Sequence, residues 1–535
     1  MRRAFDDAAL IAKTLIASAG AGMLWDLRPW HLLPALRAYR ASGASLATLV
    51  AIAAVRAPDT DAVIDERGRL TYRQLDRRAA AIAAGLHARN GIGAGSTVGV
   101  LCRNHRGFIE ALVAAARLGA NVVLLNTEFS TPQLAQVFAS SRPDLVVLDE
   151  EFVGLVDSIP AVLAWRDGGE TDVPTLDELA VSTHPTPPAP REPGRITILT
   201  SGTTGTPKGA SRAPSVMDSV GPLATILTRA RLRAGDPVLI APPLFHGFGL
   251  AVFGLAAFLR SPMVLIRRFD AAEALRSIER HRVRCLVAVP VMLQRMLAVR
   301  DAGVDLSILR CVLSGAAPLP PTLATRLLDE WGDVLFNGYG SSEIGIASLA
   351  TPADLRQAPG TVGKPALGVP VAVLDDSGSR VADGRIGTVH VGGRLVFAGY
   401  TGGGSKDVVN GMMSTGDRGH FDETGRLYID GRADDMIVSG GENVYPQEVE
   451  NVLARQAGVA DVAVIGVADE EFGQRLVAYL VAASDVRPSN EDLKRHVRAN
   501  LARYKVPRQF VFLDELPRNP AGKLVRRKLP APPAV

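Results

Sequence analysis

Cysteine is scarce in this chain, whose 535 residues hold three: Cys102, Cys285 and Cys311. An odd number at wide spacing, with no CxxC pair, argues against a disulfide framework or a cysteine zinc site and suits a reducing cytoplasm. Charge of one sign is lacking too. Lys+Arg 59 against Asp+Glu 55 leaves a formal +4, a mild excess that suits anionic cofactors or lipid headgroups and does not call for nucleic acid. The N-terminus lacks an uninterrupted apolar run. Arg2 and Arg3 precede a stretch from Ala8 to Leu24 that imitates a signal peptide, but Asp6, Asp7 and Lys13 spoil it, and a spanning helix needs about 20 predominantly apolar residues. Leu10, Ile11, Leu15, Ile16, Leu24, Trp25, Trp30, Leu32 and Leu33 then leave two readings: interfacial helices with aromatic anchors, at most peripheral on the inner face of a membrane, or helices packed on the protein body.

What is present points to size and layering. A chain of 535 residues that is 47% hydrophobic exceeds one core, so two or three packed units are expected and a lone small binding module is excluded. From Thr71 a helix (YRQLDRRAAAIAAGLHA) leads to an apolar strand at Thr97 to Cys102, a helix at Gly107 to Leu118 and a strand at Asn121 to Leu125. Further apolar strands are expected at Asp144 to Leu148, Arg195 to Leu199, Pro237 to Ile240, Met263 to Ile266, Cys285 to Val289 and Cys311 to Ser314. This alternation predicts a parallel sheet covered by helices. The proline-rich segment His184 to Gly194 lacks amide donors and reads as an exposed connector. Beyond about residue 432 a helix at Pro446 to Arg455, strands at Val462 to Val467 and Arg475 to Ala482, a helix capped by Asn490 and a strand at Gln509 to Leu513 read as a compact α+β unit. No internal repeat is visible. The expected division is an apolar helical segment at 1–45, a large α/β domain at 46–431 and a small α+β domain at 432–535.

The strongest local signal is Thr200-Ser201-Gly202-Thr203-Thr204-Gly205-Thr206-Pro207-Lys208-Gly209, directly after an apolar strand. Glycines admit backbone amides to phosphate oxygens, and the hydroxyls and Lys208 add donors and positive charge, so the loop reads as a polyphosphate cradle. Pro207 before the lysine and Gly209 after it depart from the Walker pattern, which disfavours P-loop kinases and GTPases. A flexible Ser/Thr/Gly loop is the bland alternative.

The loop resembles the phosphate-binding signature of the adenylate-forming (AMP-binding) superfamily: acyl-CoA synthetases, peptide-synthetase adenylation domains and luciferases. Other signatures of that family follow in order, over roughly residues 50 to 530. The resemblance implies a large multi-sheet α/β domain with a small mobile C-terminal domain, and it implies roles for residues that alone read as turns, core aromatics or surface charges. Ser314-Gly315-Ala316-Ala317-Pro318 matches the adenine-binding segment, Gly315 also bordering the acid pocket. In Asn337-Gly338-Tyr339-Gly340-Ser341-Ser342-Glu343, Tyr339 would stack on the base, Ser342 would donate to the α-phosphate and Glu343 would give a hard oxygen to Mg²⁺. Asp417 of Ser414-Thr415-Gly416-Asp417 would accept both ribose hydroxyls, with Arg432 beside it and Asp434 as hinge. Lys523, closing Pro517 to Lys523, would reach the carboxylate and α-phosphate during adenylation. Thr203, Lys208, Glu343 and Lys523 are the expected catalytic residues.

The resemblance further implies that His246 in Pro243-Leu244-Phe245-His246-Gly247-Phe248-Gly249 lines the acid pocket with Phe245, without an acid–base role. The apolar run Leu250 to Leu259 then favours a fatty acyl chain. The expectation is therefore an ATP- and Mg²⁺-dependent ligase that joins a medium- or long-chain fatty acid to coenzyme A through an acyl-adenylate. Met412, where the family usually carries an aromatic residue, weakens the fatty-acid assignment. Alternatives are an aryl or sterol side-chain acid as substrate, or a carrier protein as acceptor; members of the latter kind generally carry an insertion, and none is obvious between Glu343 and Asp417. A non-catalytic relative would be expected to have lost Lys523 or Glu343, and both are here. The sequence leaves the oligomeric state open.

Overall fold

The computed structural model describes residues 2–533 except 25–26, 157–158, 170, 202–206, 213–215, 300–302, 394–406, 440–441, 470–472 and 485–486. For residues 2–9, 200–201, 207–212, 216–219, 434, 438, 442–443 and 473 it describes the backbone alone. The chain is a mixed α/β protein with two compact units, the first made of 1–313, 340–345 and 393–405, the second of 314–339, 346–392 and 406–535.

In the first unit a six-stranded sheet runs in the order Ala161–Trp165, Leu145–Asp149, Thr97–Leu101, Asn121–Leu124, Ile196–Ser201, Pro207–Arg212. The first five strands are parallel and the sixth is antiparallel. The expected apolar runs are these strands because both faces are covered: Val98, Val100, Val146 and Leu148 are fully buried. The helix Arg106–Leu118 supplies part of that cover, with Phe108, Ile109, Leu112 and Val113 buried. A second group of strands orders as Gly68–Thr71, Asp61–Asp65, Met263–Leu265, Val238–Ile240, Cys285–Ala288, parallel after the first pair. Three N-terminal helices, α1 (Arg2–Gly20), α2 (Pro29–Ser42) and α3 (Leu46–Arg56), precede them. The segment 184–194 has no regular structure, as its prolines require.

In the second unit, antiparallel strands follow the order Val371–Leu374, Gly387–Val391, Met412–Phe421, Leu427–Arg432, Thr361–Pro365. A five-stranded sheet, built on the hairpin Val459–Asp469 with Gly473–Ala482, closes the chain. Helices Pro446–Leu453 and Asn490–Asn500 bury Val449, Leu453, Leu493 and Val497 with Val464, Leu476 and Leu480. The second of these helices is capped by Ser489, whose hydroxyl accepts the Asp492 amide at 3.2 Å; Asn490, expected as the cap, is the first helical residue. The contacts do not break at 432, because Arg432 pairs with Asp417 within a hairpin and helix Pro446–Leu453 packs on that hairpin's second strand.

Glu450 lies in helix Pro446–Leu453 and accepts the Val464 amide at 2.8 Å. Burial pushes its carboxyl up to about 7, against that bond and the nearby Arg526 and Arg518. The unfolded chain loses this proton near 4.5, the folded chain near 7. Stability is therefore full below pH 4.5 and falls as pH rises to 7, by roughly 3 kcal/mol. Thermal unfolding between pH 5 and 7.5 should show that decline, flattened in Glu450→Gln.

Candidate functional site

In the first unit, the strand Ile196–Ser201 turns back as Pro207–Arg212, with Thr200 paired to Lys208 and Ser201 to Pro207. The two ends of the Gly/Ser/Thr signature are thus antiparallel strand partners, whereas a Walker loop leads from a strand into a helix. Gly202, Thr203, Thr204 and Gly205 lie outside the described residues, and for Thr200, Ser201 and Lys208 the backbone alone is described.

The same unit holds Ser342 and Glu343. Ser341 donates its hydroxyl to Glu343 Oε2 at 2.7 Å and accepts the Glu343 amide at 3.3 Å, a tight turn that holds the largely buried carboxylate. Ser342 Oγ lies 3.3 Å and Ile198 Cδ1 3.6 Å from where a Cβ would project from Gly247. The first turn of helix Gly247–Leu259 therefore abuts Ser342. His246 caps this helix: its Nδ1 accepts the Phe248 amide at 3.4 Å, a structural task in keeping with no acid–base role. Phe245 is buried and His246 and Phe248 are half-buried.

The support under this loop was not read from the sequence. Asn104, buried, donates to the carbonyls of Ile240 at 3.4 Å and Pro242 at 2.9 Å and accepts the Leu244 amide at 2.8 Å. Gly249 follows, where a Cβ would stand 2.4 Å from the Pro243 carbonyl oxygen. Beside Asn104, the sulfur, ring and carboxylate of Cys102, His105 and Asp149 come together in the core. Both ring nitrogens of His105 are engaged: Nε2 with Asp149 at 2.7 Å, and Nδ1 with the Gly107 amide at 3.1 Å. Burial and Asp149 push the Cys102 thiol well up, so the cluster is a packed hydrogen-bond network with no thiolate to offer.

In the second unit the structure brings together Tyr339, Asp417 and Arg432. The Tyr339 hydroxyl donates to Asp417 Oδ2 at 2.5 Å, and Arg432 Nη1 donates to Oδ1 at 3.2 Å. Thr415 Oγ1 accepts the Asp417 amide at 3.0 Å. Burial and then Asp417 hold the Tyr339 phenol well above its usual range, so it stays a donor. A carboxylate has about four lone-pair sites; two are used, and the Asp417 side chain is 15% exposed. The carboxylate can accept further hydroxyls. Nearby, the Ser314 carbonyl oxygen lies 3.7 Å from a Cβ built on Gly338. Ser314 Oγ is buried with no partner among the described residues, Gly315 is buried, and Ala316 holds a left-handed φ of 66°. Such a φ costs an alanine about 1–2 kcal/mol, strain of the kind that gathers at functional sites.

Lys523 also lies in the second unit, exposed, on the turn Asn519 to Lys523. Its amide donates to Asn519 Oδ1 at 2.9 Å. Arg518 braces the turn, donating to Gly522 O at 3.1 Å while its Nη2 reaches both oxygens of Asp461 at 3.0 and 2.9 Å. Asp434, the expected hinge, falls in the short 3₁₀ turn Ala433–Asp435, and the Asp435 carboxylate pairs with Arg526 at 2.9 Å. A cavity of about 900 Å³ elsewhere in this unit, lined by Pro321, Arg326, Asp329, Tyr428 and Asn451 among others, includes none of the residues above.

Comparison with known proteins places this geometry. Residues 50–401 match the model of the AMP-binding enzymes and residues 448–523 that of the AMP-binding enzyme C-terminal domain. A feruloyl-CoA synthase from Amycolatopsis sp is 34% identical over 88% of this chain and 95% of its own. A fatty acid–[acyl-carrier-protein] ligase, ScoC, from Streptomyces coeruleorubidus is 32% identical over 88% and 93%. The o-succinylbenzoate coenzyme A synthetase of Bacillus subtilis, solved with ATP and a magnesium ion, superposes with a TM-score of 0.78 at 30% identity over 90% of this chain and 98% of that one. This chain belongs to the adenylate-forming family of AMP-binding enzymes. Within it the chain is an ATP-dependent acid ligase that works through an acyl-adenylate.

Removing the clamp on the loop before His246 tests this geometry. Asn104→Ala strands two carbonyls and an amide in the core and should cost about 3 kcal/mol. Thermal unfolding and initial rates on the variant should show lowered stability and a KM for the acid raised more than that for ATP.

Proposed function

We propose that the acid is a fatty acid of medium or long chain and the acceptor coenzyme A, with the roles that follow. The observation that carries the acid assignment is the helix Gly247–Leu259, GFGLAVFGLAAFL, in which every side chain is apolar and whose first turn abuts Ser342. An acyl chain laid along it would present its carboxyl near Ser342 and Glu343. Glu343, a hard carboxylate oxygen held by Ser341, fits Mg²⁺, which neutralises phosphate charge when bound. Asp417 holds the ribose hydroxyls with the lone pairs that Tyr339 and Arg432 leave, and Gly315 to Ala317 border the adenine. Thr200 to Gly205 and Lys208 cradle the leaving pyrophosphate.

A carboxylate resists nucleophiles because its leaving group would be oxide. Attack by its oxygen on the α-phosphorus of ATP makes that oxygen part of AMP, with pyrophosphate expelled. Lys523 lends positive charge as the pentavalent phosphorus forms. The region from 432 then turns about Asp434, and the coenzyme A thiolate attacks the acyl carbon and expels AMP. No covalent enzyme intermediate is needed, since positioning and charge supply the rate.

A second reading, an aryl acid, is favoured by the feruloyl and o-succinylbenzoate relatives, and a carrier protein as acceptor by the fatty acid ligase ScoC. One assay separates them: AMP release with fatty acids of several lengths, ferulate and o-succinylbenzoate, each with and without coenzyme A. The expected outcome is acyl-CoA formed best from fatty acids and dependent on coenzyme A. Preference for the aryl acids sinks the fatty-acid reading, and acyl-AMP that accumulates despite coenzyme A sinks the acceptor.

Two substitutions test the roles. Lys523→Ala should slow acyl-adenylate formation by about a hundredfold or more and leave thioester formation from supplied acyl-adenylate much less affected. Asp417→Ala should raise the KM for ATP at least tenfold, measured at saturating acid.

A further inference from the structure

We infer that α1 and α2 form a docking surface for an anionic lipid bilayer. Ten of the fifteen large hydrophobic side chains that stand exposed among the described residues fall between Ile11 and Tyr39. Leu15 is 56% exposed, Ile16 72%, Trp30 70%, Leu32 59% and Leu33 54%. These helices are nonetheless fastened to their unit. Thr14 donates to the Val220 carbonyl at 3.3 Å, the Ala234 amide to the Ala21 carbonyl at 2.8 Å, and the Arg56 guanidinium to the Met23 carbonyl. Thr48 of α3 donates to the Ala38 carbonyl of α2 at 3.3 Å.

Side-chain size is inverted across α1. Among its described side chains, those it buries are Ala17 and Ser18, with Ala21 just after it, while Leu15 and Ile16 face water. A helix that only completed a core would do the reverse. No described helix is long and apolar enough to cross a membrane, so the fitting geometry is a helix pair lying on the surface.

Charge selects the partner. Between Ala8 and Pro58 the basic residues are Lys13, Arg28, Arg37, Arg40 and Arg56, and Asp26 is the sole acid. Lys13, Arg28, Arg37 and Arg40 are exposed among the apolar side chains. Two copies joined face to face would oppose these cations to one another, whereas a leaflet of anionic headgroups over hydrocarbon complements both the charge and the apolar side chains. Trp30 and Tyr39 are residue types that settle at that boundary. The surface lies before the family match at residue 50, so it is independent of the acid assignment.

The test is co-sedimentation of the full chain with phosphatidylcholine vesicles, with and without phosphatidylglycerol, at low and high salt. Binding should appear with phosphatidylglycerol and weaken with salt. Leu15→Glu with Leu33→Glu should lower partitioning by roughly a hundredfold, and Arg37→Glu with Arg40→Glu, at positions too exposed to threaten folding, by about tenfold. Unchanged acid-dependent AMP release would show both variants folded. No binding by the parent chain, binding unaltered in the charge variant, or loss of a dimer without vesicle binding would each overturn the inference, the last by making the face a self-association surface.

Discussion

An anion that is mostly out of water must be partnered, and Asp417 imposes that requirement on the second unit. Its two oxygens take hydrogens from Tyr339 and Arg432, which come from different strands, so the carboxylate ties register to chemistry. Asp417 faces Arg432 across the hairpin of Met412–Phe421 and Leu427–Arg432, and a slip of one residue would send one of them to the opposite face. Gly416, between Thr415 and Asp417, has a φ of 79°, and a Cβ there would lie 3.2 Å from the Arg432 guanidinium. The glycine between Thr415 and Asp417 is thus explained by its left-handed φ, with the guanidinium close beside it. An ordering pair that leaves lone pairs open serves as scaffold and keeps acceptor sites available.

Much of the fold was legible because buried parallel strands are continuous apolar runs. Cys311–Ser314 and Gln509–Leu513 fall where the sequence placed them, and others differ by a few residues at their ends. The strands not read, such as those from Val371 to Phe421, are antiparallel, and Met412–Phe421 alternates buried with half-buried and polar positions. Their signal is spread over partners far along the chain. The same distance hid the residues behind the site. Arg518 and Asp461 are 57 apart and Asn104 lies 140 from Leu244, and nothing local marks such pairs. Motif residues were legible because their types and order repeat a family pattern. The strained Ala316 was legible in position only, since a φ is not written in composition.

The turn around Lys523 shows how an exposed residue can still be placed. A lysine in water gives up about 2 kcal/mol of side-chain entropy when it is fixed, so a protein gains by fixing everything except the side chain. Arg518, bound to Asp461 and to Gly522 O, holds the backbone of the turn, and Ala521 is buried beneath it. Gly522 accepts a φ of 77° that other residues resist. A turn braced in this way keeps its backbone shape through contacts that do not involve the Lys523 side chain.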